Sequence, residues 1–332
     1  MNSSTMTPTH RVIELACRAP SVHNTQPWRW RVVDDATIEL YADRTRQLPV
    51  SDPQGRNLVL SCGAALHHCE VAARASGFIP VVELQPSAED DSLLARIVLS
   101  PGSVTPESLE SLQALEDRCT DRRHFSSWPV PESRLAHLAK AASGWGAHVF
   151  AITDVSDRFH TEKLLERARA VQDADPRFAE EQRAWVDHSR VDGVPTGNAV
   201  PPAPGRPPAP PGRFTPGAGD SPAAASAEPA DADLVESSDG LMAICTAVDD
   251  QRSWLASGQA LSALWLRATH DGLAIVPLSQ VIEVDETRAG LRRDVFEGMA
   301  HPQILMRVGW AEVGGGRLPR TTRRPVADVV AS

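Results

Sequence analysis

Two stretches of this chain gather residue types that can hold and orient a small polar ligand. The first is Ala19-Pro20-Ser21-Val22-His23-Asn24-Thr25-Gln26-Pro27-Trp28, a dense polar run framed by two prolines and a tryptophan. Short polar side chains in such a loop hydrogen-bond either backbone or a ligand. The second is Arg118-Cys119-Thr120-Asp121-Arg122-Arg123-His124-Phe125, with three arginines and a hydroxyl within six residues. Guanidinium forks match phosphate oxygens, and a threonine hydroxyl suits a phosphate or sugar-alcohol oxygen. A further basic run, Arg317, Arg320, Arg323 and Arg324, precedes Pro325. The chain as a whole has 33 basic and 43 acidic side chains and a net charge of −10. Against that background the arginine clusters point to a small polyanionic ligand. Taken singly, any of these arginines also reads as solvated surface charge.

Other chemistries are poorly served. A general nucleic-acid surface needs a basic excess, which the charge balance denies. Only Lys140 and Lys163 are lysines, and neither sits in a Schiff-base context. Cys62, His67, His68 and Cys69 fall on one expected helix, where they cannot converge on one ion, so they read as structural. Gly314-Gly315-Gly316 follows a strand without opening a helix, so it is not a phosphate loop. No apolar run is long enough to span a bilayer. The first residues, MNSSTMTPTHR, show no charged-then-apolar leader, and five cysteines form no paired pattern. A reducing, cytoplasmic setting is the expectation.

The elements that must position these residues form a degenerate repeat. Val12, Leu15, Ala16 and Ala19 match Leu135, Leu138, Ala139 and Ala142 at an offset of 123. Both runs have helical apolar spacing, and each is followed by a strand-like run, WRWRVVDD and AHVFAITD. Leu60, Gly63, Ala65, Leu66, Ala73 and Gly77 match Leu255, Gly258, Ala260, Leu261, Ala268 and Gly272 at an offset of 195. These predict two tightly packed central helices, each closed by a glycine. Strand-like runs follow in both copies: FIPVVEL and LLARIVL in the first, LAIVPLS and QILMRVGW in the second. Trp28, Trp30, Trp145, Trp254, Trp265 and Trp310 fall at core positions.

The growth of the offset places an insertion of about 72 residues in the second copy, over roughly 165–240. Residues 194–233 within it hold 11 of the 27 prolines and no leucine or isoleucine. Such a stretch buries too little apolar surface to offset its ordering entropy. The charged run 166–183 reads as a solvated helix face, and Trp185 as an anchor for a lid. The expected fold is therefore α+β, two repeated halves forming a pseudo-dimer. The first half spans 1–110 and the second 111–332, with a lid-like insertion at about 165–240. The polar string of 20–28 has no counterpart in the matching second-half loop Ser143-Gly144-Trp145-Gly146.

APSVHNTQPWRWRVV resembles the AP-S-S-x-N-x-Q-P-W segment of FMN-dependent nitroreductases, and Arg118-x-Thr120-x-Arg122 resembles their R-x-[ST]-x-[RK] element. GLAIVPLSQ at 272–280 and PQILMRVGW followed by RRP are similar to later elements of the same family. The doubling, the DGVP string at 192–195 and the insertion resemble its Acg-like, actinobacterial branch. The resemblance implies a nitroreductase-like fold, non-covalent FMN and NAD(P)H as electron donor. It implies that Pro20, Ser21, His23 and Asn24 lie against the isoalloxazine. It implies that Arg118, Thr120 and Arg122 hold phosphate and ribityl oxygens, that Ser279 and Gln280 lie near N5, and that Arg323 or Arg324 completes the phosphate clamp. Val22 stands where the family has a second serine. Each half has kept one part of the paired sites of a homodimer, so one FMN per chain is expected, in a monomeric pseudo-dimer or a homodimer of such chains. The implied activity is hydride transfer through FMN to a small acceptor. The alternative is FMN storage under a closed lid.

Overall fold

The computed structural model describes residues 7–122, 125–186, 188–195, 239–311 and 320–331. Most of the proline-rich tract, Arg123, His124, Gly314-Gly315-Gly316 and Arg317 lie outside the described residues.

The first half opens with α1 (Pro8–Ala16), which Thr7 caps by accepting from the His10 amide, with proline at the first helical position. It continues through β1 (Trp28–Val32), β2 (Thr37–Ala42), α2 (Arg56–Ala75), β3 (Phe78–Leu84) and β4 (Leu93–Pro101). Helix α3 (Pro106–Asp117), opened by a Thr105–Ser108 capping box, leads into the second half. There follow α4 (Glu132–Ala141), β5 (His148–Ala151), α5 (Val155–Asp173), α6 (Pro176–Trp185), β6 (Gly240–Thr246), α7 (Gln251–His270), β7 (Leu273–Leu278), α8 (Gln280–Glu283), α9 (Asp285–Asp294) and β8 (His301–Trp310). The chain closes with α10 (Val326–Val329) and β9 (Val330–Ala331).

The strands form two sheets, ordered β3-β4-β2-β1-β9 and β5-β6-β8-β7. Without β9, the first order maps onto the second, and every equivalent pair is antiparallel. The two halves therefore share one topology. Strand β9 breaks the symmetry: the C-terminal arm crosses to the first sheet and pairs parallel to β1. The link between paired strands differs too. Residues 33–36 join β1 to β2, whereas residues 152–239 join β5 to β6. The excursion of the second half falls in that single link. Its first helix starts at Val155, capped by Asp154, earlier than the expected 165, because this stretch has little apolar periodicity to announce it.

Helix α2 packs on the first sheet with α1, against Trp28, Trp30, Ile38 and Ile97. Helix α7 packs on the second sheet, against Met242, Ile244, Ile304 and Met306. The two helices meet at the residues that matched in sequence. A Cβ on Gly63 would lie 2.1 Å from the Leu255 carbonyl oxygen, and one on Gly258 would lie 1.9 Å from the Leu60 carbonyl oxygen. The contact is reciprocal between equivalent positions, which is the signature of a two-fold interface. Only glycine permits it, since any side chain would occupy the facing backbone.

Polar groups sit further along the same interface. The Ser262 hydroxyl is within 2.8 Å of His67 Nδ1 and 2.9 Å of His68 Nδ1. Gln259 donates to the Glu70 carboxylate at 3.0 Å. Among the described residues no three His, Cys, Asp or Glu side chains converge as a metal site would require. Burial pushes the His67 imidazole down to about 3 and holds His68 well below the usual range. Both are neutral at pH 7, and the native state refuses protons that the unfolded chain accepts below about pH 6.5. Stability therefore falls on acidification. For His67 the loss between pH 6.5 and 5 is about 2 kcal/mol. Thermal unfolding at pH 7 and pH 5 checks this, with His67→Gln expected to show a shallower dependence than the parent.

The outer faces of the sheets differ. The second is covered by α5, α8 and α9, so β6 (GLMAICT) is buried along its whole length. The first is open, and there Glu39 accepts from Arg31, Arg96 and the Tyr41 hydroxyl.

Candidate functional site

The loop after α1 folds through three residues in the left-handed region: His23 (φ 51°), Asn24 (φ 54°) and Gln26 (φ 49°). Each costs about 1 kcal/mol or more, so the surroundings must enforce the shape. They do. The Gln26 amide donates to Ser21 Oγ at 2.9 Å, Asn24 Nδ2 donates to the Gly193 and Thr322 carbonyls, and Arg46 Nε donates to the Thr25 carbonyl at 2.5 Å. The result is a rigid polar corner beside the C-terminal end of α1.

That corner borders a cavity of about 490 Å³. From the first half come Cys17, Arg18, Pro20, Ser21 and Asn24; from the linker after α3 come Arg118, Thr120 and Arg122; from the C-terminal arm come Arg323 and Arg324; and Val194 comes from the insertion. The volume is that of an ordinary cofactor or ligand pocket. Eight of the eleven expected site residues thus meet at one place, although they are scattered over three hundred positions of chain.

Three do not border it. His23 is buried within the strained loop. Ser279 caps α8, its carbonyl accepting from the Ile282 and Glu283 amides. Gln280 donates to Gln172 Oε1 of α5 at 2.9 Å, so its amide is engaged with the insertion. Trp185 anchors the insertion, though not over the cavity: it stacks on His188 and lies under the Arg46 guanidinium.

The cavity is predominantly basic: Arg18, Arg118, Arg122, Arg320, Arg323 and Arg324 line it beside Glu14 and Glu116. Arg118 Nη2 and Arg323 Nη2 both donate to the Arg18 carbonyl, at 3.3 and 3.2 Å. That carbonyl lies just beyond α1, where the helix end is partially negative. Arg118 also stacks over the Trp265 ring at 4.8 Å. Yet the buried Nε and Nη1 of Arg118 and the Nε of Arg323 have no hydrogen-bond partner among the described residues. Burial pulls Arg118 down to about 10, and burial together with the neighbouring Arg118 charge pulls Arg323 to about 9. Burial alone pulls Arg122 to about 10. All three remain cations at pH 7. Buried cations with unsatisfied donors beside one cavity are costly unless an anion joins them. Burial lifts the Cys17 thiol to about 12, so it is a neutral wall group.

The insertion is tied to the first half at two points. Glu181 of α6 accepts from the Val50 and Ser51 amides at 2.8 and 3.0 Å and from Ser51 Oγ at 2.6 Å. Asp192 is ion-paired with Arg46 and accepts from the Ser189 hydroxyl. Removing Arg46 strands the Asp192 carboxylate, which is 7% exposed. Arg46→Ala is expected to cost on the order of 3 kcal/mol in denaturant unfolding, with partial recovery in Arg46→Lys.

No family model matches the chain. A candidate NAD(P)H nitroreductase of Mycobacterium tuberculosis H37Rv, Rv3131, is 37% identical over 320 residues, covering 96% of this chain and 90% of its own length. A second from the same organism, acg, is 32% identical over 327 residues, covering 96% and 93%. This chain belongs to the Acg-like nitroreductase family. Among solved structures, an FMN-bound nitroreductase of Bacteroides fragilis aligns over 64% of this chain and 95% of its own, at 16% identity and a TM-score of 0.40. Two features beside the cavity have no local signal in sequence: Gln26 is bonded to residues 191 and 324, and Arg46 is paired with Asp192, far away in the chain. Among the described residues no helix is long and apolar enough to cross a membrane.

Proposed function

We propose that this protein is an FMN-dependent oxidoreductase that holds one FMN per chain in the arginine-lined cavity and draws electrons from NAD(P)H. The observation that carries this reading is the convergence of Arg118, Arg122, Arg323 and Arg324 on one cavity, with donors of the buried Arg118 and Arg323 unpartnered among the described residues. A dianionic phosphate there would relieve the repulsion between the two guanidiniums. Arg122, Thr120 and Arg324 line the same cavity, and on this reading they would bind the remaining phosphate or ribityl oxygens. Pro20, Ser21 and Asn24 border the same cavity from the first half, and on this reading they would lie against the ring. FMN, when bound, supplies hydride acceptance and delivery. The protein then needs no nucleophile or acid of its own; its residues grip the phosphate, orient the ring and exclude water.

One site per chain follows from the broken repeat. The loop equivalent to 20–28 is short, and its Trp145 packs edge-on against His67 with centroids 5.0 Å apart. We further propose that the halves divide near residue 110 and that the insertion serves as a lid over the site. Val194, which borders the cavity, is the described part of that wall. Five thiols without a disulfide fit a cytoplasmic setting.

The first test is the visible spectrum of the purified protein, with heat release and identification of the chromophore. A yellow protein releasing about one FMN per chain and oxidising NAD(P)H with an added acceptor supports the proposal. Bound FMN without turnover would turn the reading to FMN storage. A colourless protein that takes up no added FMN would overturn both.

A further inference from the structure

Three segments distant in sequence meet at the strained loop, and two side-chain amides join them. Asn24 Nδ2 donates to the Gly193 carbonyl at 3.0 Å and to the Thr322 carbonyl at 3.2 Å. Gln26 Nε2 donates to the Val191 carbonyl at 2.9 Å, while Gln26 Oε1 accepts from the Arg324 amide at 2.8 Å. Each amide therefore has one bond to the strap 191–194 of the insertion and one to the C-terminal arm 322–324. Gln26 is fully buried and does not border the cavity. Its left-handed backbone aims the side chain away from β1 and between the two segments.

We infer that Asn24 and Gln26 couple the two walls: seating an anion on the arm's arginines also fixes the strap that carries Val194. Gln26 is in this sense a positioning residue, acting on the ligand only through the segments it joins. The inference rests on the reading of Arg118 and Arg323 as a phosphate clamp. The geometry gives it a direct physical route. An anion drawn to Arg323 and Arg324 orders the main chain of 322–324. That main chain presents Thr322 O and Arg324 N to the two amides, and the same amides hold Val191 O and Gly193 O. Binding at the arm is thereby communicated to the strap through the two side-chain amides.

Amide hydrogen exchange on the full chain tests this with inorganic phosphate as probe, the smallest anion of the kind the arginines would hold. In the parent protein, phosphate is expected to slow exchange at Arg324 and also at Gly193 and Val194, each roughly tenfold at a phosphate concentration well above its dissociation constant. In Gln26→Met, which leaves the cavity-lining Asn24 in place, phosphate still binds with parental affinity and the slowing at Gly193 and Val194 falls several-fold. Equal strap protection in parent and variant, or no strap protection in the parent, overturns the coupling. Protection at neither segment removes the phosphate clamp itself, and the inference falls with it. Should Gln26→Met not fold, Gln26→Glu serves instead. It keeps an acceptor for the Arg324 amide and loses the donor to Val191 O. Strap exchange should then quicken while arm exchange stays as in the parent, and unchanged strap exchange overturns the role of Gln26. The release rate of FMN, compared equally far below each protein's melting temperature, is expected to rise several-fold in Gln26→Glu, which separates positioning from a general loss of packing.

Discussion

Replacing Arg118 and Arg323 together by methionine is expected to abolish FMN retention and leave an apoprotein more stable than the parent. The two effects share one cause. Both guanidiniums are buried, they repel one another, and three of their donor nitrogens have no partner among the described residues. A charge-assisted hydrogen bond contributes about 1.5–3 kcal/mol, so losing one from each arginine weakens FMN binding roughly a hundredfold or more. The apoprotein, in contrast, no longer carries the desolvation cost of two cations, and methionine fills a comparable volume. A gain of about 1–4 kcal/mol is the scale seen when buried charges give way to apolar residues. Fluorescence titration with FMN and thermal unfolding of the apoproteins check the pair of outcomes. Undiminished FMN binding would refute the site, and a lower melting temperature of the variant would refute the account of strain at the cavity.

Gly258→Val should prevent the chain from reaching its native state. The new Cβ would stand 1.9 Å from the Leu60 carbonyl oxygen, and the obstacle is backbone, which cannot rotate aside as a side chain can. Relief requires α2 and α7 to separate, and these helices carry the packing between the halves. A loss of more than 4 kcal/mol is expected, enough to unfold most domains. Soluble yield and far-UV circular dichroism give the readout. A folded Gly258→Val protein with parental stability would show that the two helices tolerate a wider spacing than the structure has. Gly63→Val faces the mirror contact and should behave alike, which makes the pair a test of the pseudo-two-fold itself.

Much of this architecture was legible in the chain. The small-residue runs at 60–77 and 255–272 marked α2 and α7, because a glycine and alanine stripe serves close helix approach. The apolar runs flanked by acidic or glycine turns marked β1, β3, β4, β5, β7 and β8. Strand β6 escaped because GLMAICT is apolar throughout: a strand covered on both faces has no alternation to betray it. Strand β2 escaped although Thr37, Glu39 and Tyr41 alternate with apolar residues, since Glu39 is itself buried by its ion pairs. The cavity was legible as residue types, arginines near a hydroxyl and a polar proline-framed loop. Its construction was not. Gln26 and Val191 are 165 residues apart, Arg46 and Asp192 are 146 apart, and Gln26 and Arg324 are 298 apart. Ser279 and Gln280 show the converse limit. A motif fixed their strand, but the insertion brought Gln172 to the Gln280 amide, and an inserted helix leaves no trace in the motif it meets.

The crossing of the C-terminal arm has a consequence for how the protein behaves in dilute solution. A cavity assembled from two separate subunits falls apart once the protein concentration drops below the dimer dissociation constant, and its ligand is lost with it. Here the loop of 20–24, the arginines of 118–122 and the arm of 320–324 belong to one covalent chain, and β9 stitches the last of them onto the first sheet. The second half is held beside the first at a fixed effective concentration. Ligand affinity should therefore be independent of protein concentration down to the nanomolar range, so a cell could keep only a few copies of this protein without losing the site.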